Sequence, residues 1–260
     1  MKLHLLNDRS QSLQQLEEGV ITIADSNETV SRLIINGTHC QVLAAQMPVK
    51  QARQIIKALP FALEEQLANE IDNNHIHYIG REGVQAYALV IEHTTISKIN
   101  NEYNPDSIQY LPLLLPQIEQ GVCVCILNGV ASIRISKFEV LSVSPEILSH
   151  VLENLKTENH SIVEFYDLDE AHSLLPLEIE NLGFEVQQPS ADNLFKAIEN
   201  ASVNYQWNLL SGDYTKKKIV TSTKQSKLKA PIAIAAALIV TVFFAQLIQM
   251  KQYQQMTTLV

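Results

Sequence analysis

His75 and His77 stand two residues apart, and His93 is the nearest further histidine. If residues 74–78 form a strand, its two-residue period turns both rings the same way. Two such imidazoles can begin a metal site. The spacing places no third ligand, so a pair of satisfied histidines is the simpler reading and no metal is expected. Cys123 and Cys125 are also two apart, in an apolar run, and would share one side of a strand. Without a Cys-x-x-Cys spacing they read as two core thiols. Glu64-Glu65 offers adjacent carboxylates on a helical run, but neighbours on a helix point about 100° apart and do not converge on one proton. They read as a solvated face. Gly80-Arg81-Glu82-Gly83 is the nearest approach to a phosphate loop, and a turn between strands explains it better. The chain has 8 glycines in 260 residues. It contains no Gly-x-Gly-x-x-Gly, no Gly-x-x-x-x-Gly-Lys-Ser/Thr and no Gly-x-Ser-x-Gly elbow. No catalytic residue or cofactor is assigned, and the chain is read as a non-enzyme.

The elements that must position these residues alternate between α and β. Val20–Ala24, Val30–Ile35 and His39–Ala44 have strand character, and Asn36-Gly37 between the last two reads as a hairpin turn. Ala52, Ile55, Ile56 and Leu59 recur at helical spacing across Lys50–Leu59. Pro60 ends or restarts that helix, and Phe61–Glu70 is a second helical run. His75–Tyr78 and Gln85–Ile91 are strands, and Thr95–Tyr103 is a helix. The theme then repeats. Val122–Leu127 and Val130–Ile135 flank Asn128-Gly129, a strong hairpin signal, and Phe138–Val143 is a third strand. Ser144-Pro145-Glu146 reads as an N-cap, a first-position proline and a first-turn acid of a helix to about Lys156. Ser161–Phe165 is a strand, followed by helical stretches at Asp169–Asn181 and Ala191–Ala201. The order predicts an α/β chain of two similar lobes, without a clear residue-level repeat.

Composition narrows the partners. Hydrophobic residues make up 46 % of the chain, enough for a sizeable core. The net charge of −9 hides an asymmetry: residues 1–215 hold 12 basic and 28 acidic side chains, a charge of −16, while residues 216–260 hold seven lysines and no acid. The acidic part should repel nucleic acid, so no nucleic-acid partner is expected. Three cysteines, Cys40, Cys123 and Cys125, fit a reducing compartment rather than a disulfide framework. Met1–Leu6 is followed at once by Asn7, Asp8 and Arg9, without the apolar region of a signal peptide.

Ala230–Ile248 is 19 residues without a charge, close to the length of about 20 that spans a bilayer. Residues 230–249 are therefore assigned as a transmembrane helix. Lys216, Lys217, Lys218, Lys224, Lys227 and Lys229 crowd its N-terminal side, and Lys251 stands alone beyond it. The positive-inside rule then puts residues 1–229 in the cytoplasm. The division is a folded cytoplasmic domain over 1–214, a basic linker over 215–229 able to touch anionic headgroups, the membrane helix, and a short periplasmic stub over 250–260.

Ala58-Leu59-Pro60-Phe61-Ala62-Leu63-Glu64-Glu65-Gln66-Leu67-Ala68 closely resembles a signature of the type II secretion system protein L family. In that family the run is followed by an acidic stretch and a histidine-containing strand, matched here by Glu70, Ile71, Asp72 and His75-Ile76-His77-Tyr78. Asn208-Leu209-Leu210-Ser211-Gly212-Asp213-Tyr214 is similar to the family's NLLQGxY just before the membrane, with Ser211 where Gln is usual. The resemblance covers about residues 50–250. It implies an actin-like (ribonuclease H-like) cytoplasmic domain of two duplicated lobes, without known ATP hydrolysis. It also implies recruitment of the cytoplasmic secretion ATPase, protein E, to the bacterial inner membrane, and pairing with the bitopic protein M and with itself. The ATPase-contacting residues are not assigned. Family members usually carry a further periplasmic domain after the helix; here the sequence stops at Val260, so either this member is short or the sequence is a piece of a longer protein, and periplasmic contacts to protein M are left open. The alternative is an ATP-binding actin-like chain resembling the pilus assembly protein PilM. Such a chain should show an Asp-x-Gly-type loop in its first hairpin, where residues 1–24 offer only Asp8 and Gly19, far apart.

Overall fold

The computed structural model describes residues 3–7, 12–17, 20–24, 30–37, 39–156, 160–203 and 207–215. The assigned membrane helix 230–249, its flanking Lys227, Lys229 and Lys251, the linker beyond Thr215 and the stub 250–260 lie outside the described residues. Among the described residues no helix is long and apolar enough to cross a membrane.

The chain runs β1 (Leu3–Asn7), β2 (Ser12–Glu17), β3 (Val20–Ile23), β4 (Arg32–Asn36), β5 (Cys40–Gln46), α1 (Ala52–Leu63), β6 (Asn74–Glu82), β7 (Gln85–Glu92), α2 (His93–Tyr103), β8 (Ser107–Tyr110) and α3 (Leu111–Leu114). It continues β9 (Gly121–Leu127), β10 (Val130–Arg134), β11 (Val140–Val143), α4 (Leu148–Leu155), β12 (Ile162–Asp167), α5 (Leu175–Asn181), β13 (Glu185–Gln187) and α6 (Ala191–Ala201). Two five-stranded sheets share one topology, β3-β2-β1-β4-β8 and β11-β10-β9-β12-β13. In each, three strands meander antiparallel and two more add parallel to the first. Each parallel addition needs a crossover. In the second lobe α4 and α5 supply them. In the first lobe the crossover between β4 and β8 has grown into a third sheet, β5-β7-β6, with α1 and α2. The expected two related lobes are therefore present, the first enlarged by an insertion.

Strand β9 is buried on both faces, as its unbroken apolar run requires. Cys123, Cys125 and Leu127 enter the large core that also holds Leu3, Leu33 and Ile108 of the first lobe. Val122, Val124 and Ile126 enter a second core with Leu148, Leu152 and Ile179. The two cysteines are core thiols on one strand face, and burial pushes both pKa values up, leaving them protonated and inert.

Five local readings change once the sheets are assembled. Asn36-Gly37 is not a hairpin, because β4 and β5 belong to different sheets. The Asn36 side chain bridges the lobes instead. Its Nδ2 donates to the Leu127 carbonyl at 2.7 Å, and its Oδ1 accepts from Ser132 Oγ at 2.8 Å. Pro60 lies inside α1 rather than ending it, and the second helical run shrinks to a 3-10 turn at Glu64–Gln66. Leu59 and Leu63 continue the buried stripe of Ile55 across the proline, so packing outweighs the lost amide. Ser144-Pro145-Glu146 opens a 3-10 turn, Pro145–Ile147, and α4 follows it without a side-chain cap. Asp169 begins no helix. Its carboxylate accepts the amides of Asn128 and Gly129 at 2.7 and 2.6 Å, closing the left-handed turn that joins β9 to β10. Gly80 is likewise more than a turn residue. It sits at a bulge in β6 with φ +153°, and a Cβ there would collide with the Phe138 ring from the second lobe.

Replacing Asn36 with alanine would orphan a buried carbonyl and a buried hydroxyl at once. N36A should lose about 3 kcal/mol of unfolding free energy, measured by urea denaturation with the slope unchanged. A loss below about 1 kcal/mol would show that the amide bridge does not hold the lobes together.

Candidate functional site

β6 supplies the first two histidines of the site. His75 and His77 share a strand face, with ring planes 8° apart and centroids separated by 6.4 Å. The third histidine arrives through register. Antiparallel pairing sets Asn74 opposite Glu92, so the first residue of α2, His93, lands beside His75 at a centroid distance of 5.9 Å.

Residues 207–214 run across these rings as a strap. Trp207 lies against the Arg134 guanidinium at 5.7 Å. The Leu209 amide donates to the Ile108 carbonyl, and Asn208 Oδ1 accepts the amides of Ile108 and Leu210 at 2.9 and 3.0 Å. Leu209 and Leu210 join the main core. The Leu209 carbonyl takes its hydrogen bond from His75 Nε2 at 2.8 Å. A carbonyl only accepts, so the proton of neutral His75 sits on Nε2. Ser211 Oγ, 3.3 Å from the same nitrogen, lies 2.8 Å from His77 Nδ1, and its hydroxyl can donate there. The Tyr214 hydroxyl is 2.8 Å from His93 Nδ1, 3.0 Å from Ser97 Oγ and 3.2 Å from the His93 carbonyl. With one proton to give, it donates to the carbonyl and accepts from the other two. The Tyr214 ring meets His75 edge-on at 5.1 Å and stacks on His93 at 5.7 Å.

Burial drives the His75 pKa down to about 4 against the upward pull of the Leu209 carbonyl; positive charge on His77 or His93 adds to the lowering, and Asp213 opposes it. The histidine pair does gain a third imidazole, through His93. Yet one nitrogen of each ring meets the strap, and among the described residues no group of three His, Cys, Asp or Glu is arranged to hold a metal ion. The arrangement clamps a peptide segment.

Beside the clamp lies a groove of about 540 Å³ whose walls include Ile56 and Pro60 from α1, Asp72, His77 from β6, and Gly212 and Asp213 from the strap. The run 58–68 and the run 208–214, about 140 residues apart in sequence, thus flank one depression. Within the first run, Leu59 and Leu63 are core, Leu67 packs beside them, and Gln66 Nε2 donates to the Ala44 carbonyl on β5. Ala58, Phe61, Glu64, Glu65 and Ala68 are exposed. In the second run Asn208 ties the strap to β8, and Gly212 adopts φ +57° ahead of Tyr214. The parts played by His93 and Ser97 were not legible in the sequence, since only the β6–β7 register and the return of the strap bring them in.

A protein-family model described as type II secretion system (T2SS), protein L, matches residues 5–217. A type II secretion system protein L from Dickeya chrysanthemi is 30 % identical over 77 residues, which are 30 % of this chain and 19 % of the relative. The match therefore spans about a fifth of that relative's length. Among solved structures, the cytoplasmic domain of EpsL, an inner membrane component of the type II secretion system of Vibrio cholerae, shares the fold. Its TM-score is 0.62 at 13 % identity, over 82 % of this chain and 98 % of that one. A Bacteroides thetaiotaomicron protein with an actin-like ATPase fold and unknown function overlaps more loosely, at TM-score 0.41 and 12 % identity over 75 % of this chain and 94 % of that one.

The clamp has a pH signature. Folded His75 titrates near 4 against an ordinary 6.5, so between those values the unfolded chain binds the extra proton. Stability is full above pH 6.5 and falls on acidification towards 4, by up to about 3 kcal/mol from this group. His75→Gln keeps a donor for Leu209 without the titration. Urea midpoints at pH 7.5 and 4.5 should fall less in H75Q than in the parent; equal falls would remove His75 as the cause.

Proposed function

Since this chain belongs to the type II secretion system protein L family, we propose that residues 1–214 are a cytoplasmic docking domain, carried on a single inner-membrane span at 230–249. In this reading it recruits the secretion ATPase, protein E, to the membrane and links it to protein M and to further copies of the chain. It works by binding, without turnover of its own. The meeting of Pro60 from the first motif run, Ser211, Gly212 and Asp213 from the second, and the histidine strand on one surface groove carries the reading. Side chains that pack a core do not need an open groove, whereas side chains that meet a partner do.

Charge supports a basic partner. Residues 1–215 carry −16, and complementary fields speed association more than they deepen affinity. The strap ends at Thr215, immediately before Lys216, so the clamp holds the last part of the domain ahead of the lysine linker.

Nucleotide binding is disfavoured on two grounds. Phosphate loops are missing from the sequence, and the amides at the tip of the β9–β10 hairpin already donate to Asp169. The cleft beside that hairpin also carries Glu146, a second carboxylate facing any phosphate. ATP should bind more weakly than about 1 mM; micromolar affinity by calorimetry would move the chain to the nucleotide-binding relatives.

Surface plasmon resonance between the purified ATPase and the full chain in detergent tests recruitment. Residues 1–215 alone should bind comparably, and association should slow as salt rises, because attraction is screened beyond about 8 Å at 0.15 M ionic strength. No binding at micromolar concentration, with both proteins folded, would sink recruitment. Orientation has its own check: a reporter fused after Val260 should be active in the periplasm, and cytoplasmic activity there would reverse the assignment.

A further inference from the structure

We propose that the groove between α1 and the strap is where the partner docks, and that its occupant is an amphipathic protein segment. That segment would place an apolar side chain against Ile56, Pro60 and Ile76 and a lysine or arginine against Asp72 and Asp213. The identity of the partner rests on the recruitment reading; the location and chemistry of the site rest on the groove itself.

Three features of the surface fit such a ligand. The first is apolar exposure on the solvent-facing side of α1. Ile56 is 54 % exposed and Phe61 70 % exposed on α1, while Ile55, Leu59 and Leu63 fill the core on its other side. The second is Pro60 itself, whose ring stands one turn after Ile56 and adds rigid apolar surface to the same wall. The third is the charge order along the wall. Arg53 and Lys57 stand on the N-terminal turns of α1, whereas exposed Glu64, Glu65, Glu70 and Asp72 follow its C-terminal end, and Asp72 lines the groove together with Asp213 of the strap. An occupant with its basic residues at the acidic end is bound in one direction.

Charge also selects among occupants. The folded domain of a second copy brings another −16, and anionic lipid or nucleic acid meets the same repulsion. A basic protein segment meets attraction instead. Because one wall of the groove is the strap, an occupant that touches both walls binds only the clamped state. Docking therefore tightens the His75–Leu209 contact, and loosening that contact weakens docking, as linkage requires.

The test uses the full chain in detergent with the purified secretion ATPase as probe. I56D and D72K change exposed or groove-facing positions and should each weaken binding at least tenfold. L174D, at a 70 % exposed leucine of the second lobe, should stay within twofold. Hydrogen exchange on the unsubstituted chain gives a readout independent of any variant: amides at 56–63 and 209–214 should slow when the ATPase is added. Binding that is intact in I56D and D72K, or exchange unchanged at those amides, overturns the groove while leaving recruitment standing. A tenfold loss in L174D alone places the site on the other lobe and overturns it too. Absence of binding by the unsubstituted chain overturns both.

Discussion

The Leu209 carbonyl lies among core side chains, and a buried acceptor without a donor costs about 1–3 kcal/mol. His75 supplies that donor through Nε2. Much of the site follows from this one demand. The imidazole must stay neutral to sit where it does, which its pKa of about 4 ensures. A neutral His75 tolerates His77 and His93 within 6.4 Å, where three imidazolium ions would repel one another. With the strap fixed at Leu209, Ser211 and Tyr214 fall onto His77 and His93, and Gly212 and Asp213 become one wall of the groove.

The strap can lie there because the lobes behind it form one core. Strand β9 sends alternate residues to two different hydrophobic clusters, so the second lobe cannot shift without disturbing the first. Asn36 adds a polar bridge at the seam, and the side-chain amides of Gln14 and Asn128 exchange hydrogen bonds beside it. Arg134 closes the far side. Its guanidinium is buried, donates to the carbonyls of Leu113 and Leu115, and covers Trp207 at the start of the strap. These bonds to carbonyls satisfy a buried cation without a carboxylate, and they fix α3 against β10.

Two clefts on the domain illustrate how charge divides their chemistry. At the β9–β10 hairpin, amides that could hold an anion hold Asp169, an acid of the chain itself. At the α1 groove, the acids Asp72 and Asp213 line the wall beside an exposed isoleucine. The first site is self-satisfied, whereas the second presents charge and apolar area together, which is how protein surfaces recognise other proteins.

Local chemistry was enough for part of this. Charge asymmetry, the apolar 230–249 segment, the Asn128-Gly129 hairpin, most strands and several helices depend on residues near one another in the chain, and so can be read from order alone. Those features, with the two motif runs, pointed to the family. The assembled sheets decided what order could not. Asn36-Gly37 has the composition of a tight turn, yet its amide is needed 91 residues away at Leu127. Pro60 carries a helix-breaking signal, yet Leu59 and Leu63 gain more by staying in one buried stripe. Asp169 has the look of a helix start, yet it serves a hairpin 40 residues earlier. His75 and Leu209, 134 residues apart, give no local sign of meeting. In each case a buried polar group or an apolar face had to be satisfied in the assembled fold, and local preferences, from a fraction of a kilocalorie for most residues to about 3 kcal/mol for a helical proline, yield to that requirement.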